Sequence, residues 1–216
     1  MNILMIPVRL ASARIPQKNI KNFCGTTLLE IAINKAKKCN VDEVWVNSPD
    51  KELSEYASKN NVNFYLRDKS LNNPNTTNSE FLKDFMENIN GDVVFMLNTT
   101  SPLVKIKTLN DFIAKYNTNC CDTMLSVTSE QCPVLFKKQP INWSFDIHTP
   151  SENLEPIQKI VWAISAWKKS VFLANKCGTY SGTKEFFNIS KSEAVDIDSS
   201  DDWQIAEAIF SKFGIE

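Results

Sequence analysis

Short apolar runs alternate along this chain with longer segments whose apolar residues recur at helical spacing. The run 93–97 contains no polar residue, which is typical of a strand buried on both faces of a sheet. Just before it, Leu82, Phe85 and Met86 fall on one face of a predicted helix over 79–89. Because this alternation continues through most of the chain, the sequence predicts an α/β fold with a mostly parallel sheet and helices on both faces.

The same periodicity predicts individual elements and one interruption. Strands are predicted at 3–8, 44–46, 62–66, 93–97, 124–127, 161–166, 186–189 and 194–198. Helices are predicted at about 27–38, 50–59, 79–89, 109–116, 168–176 and 201–213. Between about 129 and 160, prolines and aromatic residues interrupt the pattern in a segment too apolar for a linker. We therefore expect a single domain over 1–216 with an inserted segment at about 129–160.

Composition limits the classes of partner and the compartment. The formal net charge is −1, so no overall field favours nucleic acid or a membrane surface. Six cysteines occur without a Cys-x-x-Cys pair and beside a single histidine, which disfavours a zinc site and indicates reduced thiols. The first residues lack the pattern of a signal peptide, and no apolar run approaches the ~20 residues of a membrane span. We therefore expect a cytoplasmic protein.

The loop after the first predicted strand carries four cations before the first acidic residue of the chain, Glu30. These cations are Arg9, Arg14, Lys18 and Lys21. Small residues at 11–13 would let backbone N–H groups approach an anion closely, and the side-chain charges would complete the site. The loop is therefore predicted to bind phosphate, with a solvated basic loop as the alternative.

A pair of acidic residues near the other end of the chain would need a cation, just as the basic loop would need an anion. Asp196 and Asp198 are two apart in a predicted strand, so their side chains should point the same way while Ile197 points into the core. Two carboxylates at the carboxyl edge of a sheet suit Mg²⁺. The alternative is a helix cap, but Ser199 or Ser200 is the better cap. A nucleoside triphosphate with Mg²⁺ would satisfy both the basic loop and the acid pair.

Three stretches together resemble one enzyme family. Residues 7–19, of the form Pro-x-Arg-x-x-Ser-x-Arg-x-Pro-x-Lys-Asn, resemble the nucleotide-binding signature of the CMP-N-acylneuraminate synthetases, cytidylyltransferases that activate sialic-acid-type sugars. Residues 97–103 and 195–203 resemble two later motifs of the family, in the same order. The resemblance implies a Rossmann-like nucleotidyltransferase fold, a three-layer α/β/α arrangement with a mostly parallel mixed sheet. It also implies that 129–160 is a β-rich arm that packs on a second subunit of a homodimer; an ordinary excursion on the monomer is the alternative.

The resemblance also implies a reaction and the residues that carry it. A sugar hydroxyl would attack the α-phosphorus of CTP and pyrophosphate would leave, with Mg²⁺ held by Asp196 and Asp198. The implied catalytic residues are Arg14, Lys18 and Asp198. The implied nucleotide-binding residues are Arg9, Leu10, Ala11, Ser12, Asn19, Arg67 and Ser79, where a helix cap is the alternative for Ser79. The implied acceptor-binding residues are Asn98, Thr99, Thr100 and Ser101, where a turn before Pro102 is the alternative for the last two.

Departures from the family pattern leave the acceptor open. The family usually has glycines at Leu10 and Ala11 and a lysine at Ala13. The Leu-Ala-Ser-x-Arg sequence also resembles the CMP-Kdo synthetases, but those enzymes carry Gly-Asp-Glu-Pro where this chain has 99–102. The expected acceptor is a sialic, legionaminic, pseudaminic or related nonulosonic acid. The alternatives are Kdo or a non-sugar hydroxyl or phosphate, and a catalytically idle nucleotide-binding subunit.

Overall fold

The computed structural model describes residues 1–73, 75–176 and 178–214. The strands are β1 (Asn2–Pro7), β2 (Glu43–Ser48), β3 (Asn63–Leu66), β4 (Val93–Leu97), β5 (Thr123–Glu130), β6 (Leu135–Phe136), β7 (Gln139–Pro140), β8 (Ile157–Lys168) and β9 (Lys184–Asn188). The helices are α1 (Leu28–Ala36), α2 (Ser54–Lys59), α3 (Asn78–Asn88), α4 (Ile106–Thr118), α5 (Lys169–Ala174) and α6 (Ser200–Phe213). Among the described residues, no helix is long and apolar enough to cross a membrane.

Seven of the strands form one mixed sheet in the order β3-β2-β1-β4-β8-β5-β9. The pairs β1–β2, β1–β4, β2–β3 and β5–β9 are parallel. The long strand β8 runs antiparallel to both β4 and β5. The mostly parallel mixed sheet predicted from the sequence is therefore confirmed, and the carboxyl ends of β1, β2, β3 and β4 meet at one edge.

Apolar side chains cover both faces of this sheet. On one face, Leu29 of α1 and Phe112 of α4 are buried with Leu4 of β1. On the other face, Phe85 of α3 and Phe172 of α5 are buried in a second cluster. The two layers of helices give the three-layer arrangement that the alternating pattern predicted, since each helix turns one apolar stripe toward the sheet.

A third apolar cluster ties the last helix to the segment that follows the basic loop. The ring of Phe23 meets Trp203 edge-to-face at 5.1 Å and Phe210 at 5.2 Å between ring centroids. Ile197 is fully buried in the same cluster, as the sequence predicted. This packing holds the chain immediately before α6 against the loop after β1, and it thereby brings the two distant ends of the sequence together.

The chain just before α6 differs from the sequence prediction in one respect and agrees with it in another. The predicted strand at 194–198 is wrong, because the segment is irregular and takes no place in the sheet. Its alternation of buried and exposed side chains comes from the packing of Ile197, whose N–H donates to the carbonyl of Thr100 at 2.9 Å. The expectation that a serine caps the last helix is confirmed, since Ser199 forms a capping box with Asp202.

The inserted segment leaves the sheet between β5 and β8. It contains the short hairpin β6–β7, and the side chain of Asn142 donates to the carbonyls of Cys132 (3.0 Å) and Glu155 (2.8 Å), which closes its base. Several large apolar side chains of the segment are exposed on the single chain: Leu135, Phe136, Ile141, Phe145 and Ile147. We call this segment, 131–156, the arm.

Candidate active site

A polar cleft with a volume of about 290 Å³ opens at the carboxyl edge of the sheet. It is bordered by the loops after β1, β3 and β4 and by the chain before α6. Most of the residues predicted for the site line it: Arg9, Ala11, Ser12, Arg14, Lys18, Asn19, Arg67, Asn98, Thr99, Thr100 and Asp198. The structure places Leu10, Ser79, Ser101 and Asp196 outside this lining.

At one side of the cleft, cations of the basic loop meet an acid from the other end of the chain. Arg14 Nη2 lies 2.7 Å from Asp198 Oδ1, and Lys18 Nζ lies 3.6 Å from the same oxygen. Lys18 is only 8% exposed and donates to the carbonyl of Ile197 at 2.5 Å. Burial lowers the pKa of Lys18, while the nearby charges of Asp198 and Asp196 act in the opposite direction. The basic loop and the acidic segment therefore form one electrostatic unit.

Asp196 stands beside this unit and keeps an exposed side chain. Its pKa is raised, first by desolvation and then by the negative charge of Asp198, against a hydrogen bond from Thr100 and the charge of Lys18, which lower it. Two mutually repelling carboxylates offer hard oxygen ligands of the kind that Mg²⁺ prefers. In the described part of the chain, no group of three or more histidine, cysteine or acidic side chains clusters. An ion held by this pair would take its remaining ligands from substrate phosphates and water.

Asn19 joins the basic loop to the loop after β4. Its Nδ2 donates to the carbonyl of Arg9 at 2.9 Å, and its Oδ1 accepts from Thr99 Oγ1 at 2.7 Å. Asn19 and Thr99 are both buried. The side chain of Asn19 therefore anchors the basic loop. Because the hydroxyl of Thr99 donates its hydrogen bond to Asn19, it cannot donate the same hydrogen to a substrate.

Leu10 does not present its backbone to the cleft. Its N–H donates to Asp50 Oδ2 at 2.7 Å, so the donor that a phosphate would need is already used. The predicted nucleotide contact of Leu10 is therefore not favoured by this geometry, whereas the neighbouring Ala11 and Ser12 line the cleft. The sequence did not predict a role for Asp50, which accepts this hydrogen bond.

At another part of the cleft, Arg67 has hydrogen-bonding capacity that the protein does not fill. The residue is 5% exposed, and among the described residues its Nε and Nη1 have no hydrogen-bond partner. Its guanidinium carbon lies 5.1 Å from the centroid of the Phe81 ring, a cation–π contact. Burial and the charge of Arg9 lower the pKa of Arg67 to about 10. A buried guanidinium with free N–H groups in a cleft is suited to a ligand with carbonyl-type acceptors.

Ser79 lies one residue beyond the cleft lining. Its hydroxyl is 3.1 Å from Thr179 Oγ1 and accepts from the Thr179 N–H at 3.3 Å. The helix-cap alternative for Ser79 is wrong, since Thr77 caps α3 through a capping box. Asn78 lines the cleft instead, together with the unpredicted residues Leu71, Asn73, Thr76 and Phe81.

The predicted acceptor residues after β4 are partly engaged within the protein. Asn98 Nδ2 donates to the carbonyl of Trp162 at 2.5 Å, although Asn98 still lines the cleft. Ser101 is buried, and its N–H donates to the carbonyl of Asn98 at 3.3 Å, which forms the turn considered as its alternative role. Thr100 also lines the cleft, and its side chain hydrogen-bonds to Asp196.

This chain is similar to several known proteins in sequence. A family model described as cytidylyltransferase matches residues 3–146. The chain is 25% identical over 220 residues to N-acylneuraminate cytidylyltransferase B of Danio rerio, and this alignment covers 97% of this chain and 51% of that protein. It is 29% identical over 140 residues to pseudaminic acid cytidylyltransferase of Campylobacter jejuni, which covers 62% of this chain and 60% of that protein. The chain thus spans about half to three fifths of the length of these curated relatives.

Two solved structures show the same fold at low sequence identity. A CMP:2-keto-3-deoxy-manno-octonic acid synthetase complexed with CTP superposes with a TM-score of 0.74 at 15% identity, covering 98% of each chain. A 4-diphosphocytidyl-2C-methyl-D-erythritol synthase from Anaerococcus prevotii superposes with a TM-score of 0.69 at 11% identity, covering 97% of this chain and 98% of the other. Their likeness to this chain is one of architecture.

Proposed function

The chain belongs to the cytidylyltransferase family, and on that premise we propose that it transfers CMP from CTP to a hydroxyl group of an acidic sugar. The observation that carries the proposal is the shared cleft. Arg14, Lys18 and Asp198 lie at one part of its wall, and the unsatisfied guanidinium of Arg67 lies at another. The first group suits a metal-bound triphosphate, and the second suits the carbonyl and ring nitrogen of a cytosine base.

In the proposed reaction, the oxygen of the acceptor hydroxyl forms a bond to the α-phosphorus of CTP. The bond from that phosphorus to the oxygen bridging the β-phosphate breaks, pyrophosphate leaves, and the hydroxyl loses its proton. Arg14 and Lys18 would neutralise the charge that grows on the leaving group. Lys18 suits this task because it is held by the Ile197 carbonyl in a site that excludes most water.

Mg²⁺ is part of this proposal. Its protein ligands would be Asp198, which lines the cleft, and Asp196, which lies just outside the lining. When bound, the ion would neutralise phosphate charge and lower the pKa of the attacking hydroxyl. Binding of substrate would also change the role of Arg14, because its guanidinium now pairs with Asp198 and is exposed enough to turn toward a phosphate. The Mg²⁺ ion held by the acid pair and the cations of the basic loop would then together neutralise the charge of the triphosphate.

The acceptor class is the least constrained part of the proposal. The curated relatives are named for N-acylneuraminate and pseudaminic acid, which supports a nonulosonic acid as acceptor. The second candidate is CMP transfer to another acceptor, such as Kdo or a non-sugar hydroxyl or phosphate. It is favoured by the engagement of the Asn98 and Thr99 side chains within the protein, because those groups are then less available to hold a nonulosonic acid.

A homodimer and a cytoplasmic setting complete the proposal. The exposed apolar side chains of the arm support packing against a second copy of the chain, because several large apolar side chains exposed on one short segment often mark a protein interface. The cytoplasm is proposed because CTP is an intracellular metabolite.

The test is release of pyrophosphate from CTP and Mg²⁺ with a panel of acceptors: sialic, legionaminic and pseudaminic acids, Kdo, and non-sugar hydroxyl and phosphate compounds. Release that depends on CTP and on sialic, legionaminic or pseudaminic acid supports the proposal, and Asp198→Asn should reduce that rate by at least about a hundredfold. Release only with Kdo or with a non-sugar acceptor would favour the second candidate. Binding of CTP without release from any acceptor would indicate an idle nucleotide-binding subunit.

A further inference from the structure

Asp50 lies directly behind the wall of the cleft, just after β2. Its carboxylate Oδ2 accepts the Leu10 N–H at 2.7 Å. The preceding backbone contact between these two chain segments is the bond from the Val8 N–H to the Asn47 carbonyl, at 3.0 Å. The Asp50 side chain therefore continues the pairing of β1 with β2 one step past the ends of the strands. That step fixes the point at which the basic loop leaves the sheet.

The position of Asp50 is itself held by buried groups. Its N–H donates to Ser48 Oγ at 3.0 Å, and Ser48 is fully buried. The N–H of Arg67 donates to the carbonyl of the same serine, also at 3.0 Å. Asp50 and Arg67 are thus anchored at one residue, although they come from different strand ends.

The charge of Asp50 acts on Arg67 as well as on the loop. The charge of Arg9 disfavours the charged form of the buried Arg67 guanidinium, and the charges of Asp50 and Asp84 favour it. An ordinary capping role does not account for the carboxylate. Asp50 precedes the single turn of 3₁₀ helix at Lys51–Leu53, but within the described residues its side chain makes no capping hydrogen bond there.

We propose that Asp50 is a positioning residue for the nucleotide: it sets the backbone between Arg9 and Ala11, from a position fixed at Ser48, the residue that also anchors Arg67. It does not line the cleft, so it would act through these two neighbours. This inference rests on the proposed function, because the ligand that benefits is CTP. Loss of the carboxylate should weaken binding of the nucleotide rather than merely loosen the fold.

The chain contains a matched control. Asp42 Oδ2 accepts the Asn2 N–H at 2.6 Å, at the opposite end of the same pair of strands. Asp42 and Asp50 therefore make the same kind of bond across β1 and β2, but only Asp50 is at the cleft. Removing either carboxylate removes one such hydrogen bond. A difference in nucleotide affinity between the two variants would therefore come from the location of Asp50 beside the cleft and not from a general loss of protein stability.

The experiment is calorimetric titration of the full chain with CTP in the presence of Mg²⁺. Asp50→Ala should weaken binding about tenfold or more, and Asp50→Asn, which keeps an accepting oxygen but loses the charge, should lose about threefold. Asp42→Ala should stay within about twofold of the unaltered protein while its unfolding midpoint falls as much as that of Asp50→Ala. Near-normal affinity of Asp50→Ala, or an equal loss in Asp42→Ala, would overturn the proposal.

A second readout separates this proposal from the proposed function. If the unaltered chain binds no CTP, the proposed function fails, and Asp50 is then judged by hydrogen exchange of the Leu10 amide in the free protein. That amide should be protected in the unaltered chain and in Asp42→Ala, and should exchange about tenfold or more faster in Asp50→Ala. Equal exchange in all three proteins would refute the positioning role.

Discussion

Arg14 and Asp198 are 184 positions apart in the chain, and their side chains form an ion pair at 2.7 Å on the wall of one cleft. Both side chains remain largely exposed, so the pair itself adds little to stability. Its importance lies in what it brings together: a cationic loop that suits phosphates and an acidic segment that suits Mg²⁺. The proposed chemistry depends on that meeting.

Replacing Arg67 should separate ligand binding from stability. Arg67→Met removes a buried charge whose Nε and Nη1 lack partners in the described protein, so the free energy of unfolding should stay unchanged or rise by about 1 kcal/mol. Affinity for CTP should fall about tenfold or more, because the donors offered to the base are lost. Chemical denaturation and calorimetry measure the two effects. A variant that loses stability and keeps CTP affinity would show that Arg67 is structural.

Thr99 should influence the nucleotide although its hydroxyl is spent inside the protein. Thr99→Val leaves Asn19 Oδ1 buried without its donor, which should cost about 1–3 kcal/mol of unfolding free energy and loosen the basic loop. We expect weaker CTP binding in this variant and near-normal binding in Thr99→Ser, which keeps the hydroxyl. If valine and serine behave alike, the bond to Asn19 does not organise the loop.

The sequence predicted the parts of the molecule that depend on local pattern. The strand predicted at 93–97 is confirmed to its last residue, because a fully apolar run of 5 residues is too short for a buried helix and is typical of a strand buried on both faces. The strand at 194–198 was wrong, because alternation around Ile197 arises equally from a single buried side chain in an irregular segment. Periodicity alone does not distinguish these cases.

The site shows a similar division. The complementary charges of the basic loop and the acid pair predicted that Arg14, Lys18 and Asp198 would lie close together, and all three line one cleft. Contacts between loops were not predictable: the Asn19–Thr99 bond and the use of the Leu10 N–H by Asp50 join segments far apart in sequence. These contacts depend on where each loop leaves the sheet, and local sequence periodicity does not predict that.

Stability should depend on pH through Lys35, a buried lysine of α1 that is 3% exposed and donates to the carbonyls of Pro102 and Val104. Burial lowers its pKa to about 8, while Glu193 opposes that shift. Between about pH 8 and 10.5 the unfolded chain holds a proton that the folded chain has lost, so stability gains from rising pH in that window.

Relative to Lys35→Met, the unfolding free energy of the unaltered chain should therefore rise by roughly 2–3 kcal/mol from about pH 7 to about pH 10. Denaturation at the two pH values measures this difference. Lys37→Met, which alters an exposed neighbour, should keep the pH dependence of the unaltered chain. The same pH dependence in the Lys35 variant would contradict the assignment.

The arm should control assembly. Replacing Phe136 and Phe145 together by serine removes two rings that are 63% and 65% exposed on the single chain. We expect light scattering to show a dimer for the unaltered chain and a monomer for this variant. Phe213→Ser, at a ring of α6 that is 64% exposed, should remain dimeric. A monomer before any substitution would show that the arm has another role.

The most direct test of the central claim is the affinity for CTP, with and without Mg²⁺, of the unaltered chain and of Asp198→Asn. Mg²⁺ should strengthen binding to the unaltered chain by about tenfold or more and should have little effect on the variant. Without Mg²⁺, the variant should bind CTP at least as well as the unaltered chain, because an acid near the phosphates has been neutralised. An equal Mg²⁺ effect in both proteins, or no CTP binding by either, would contradict the account.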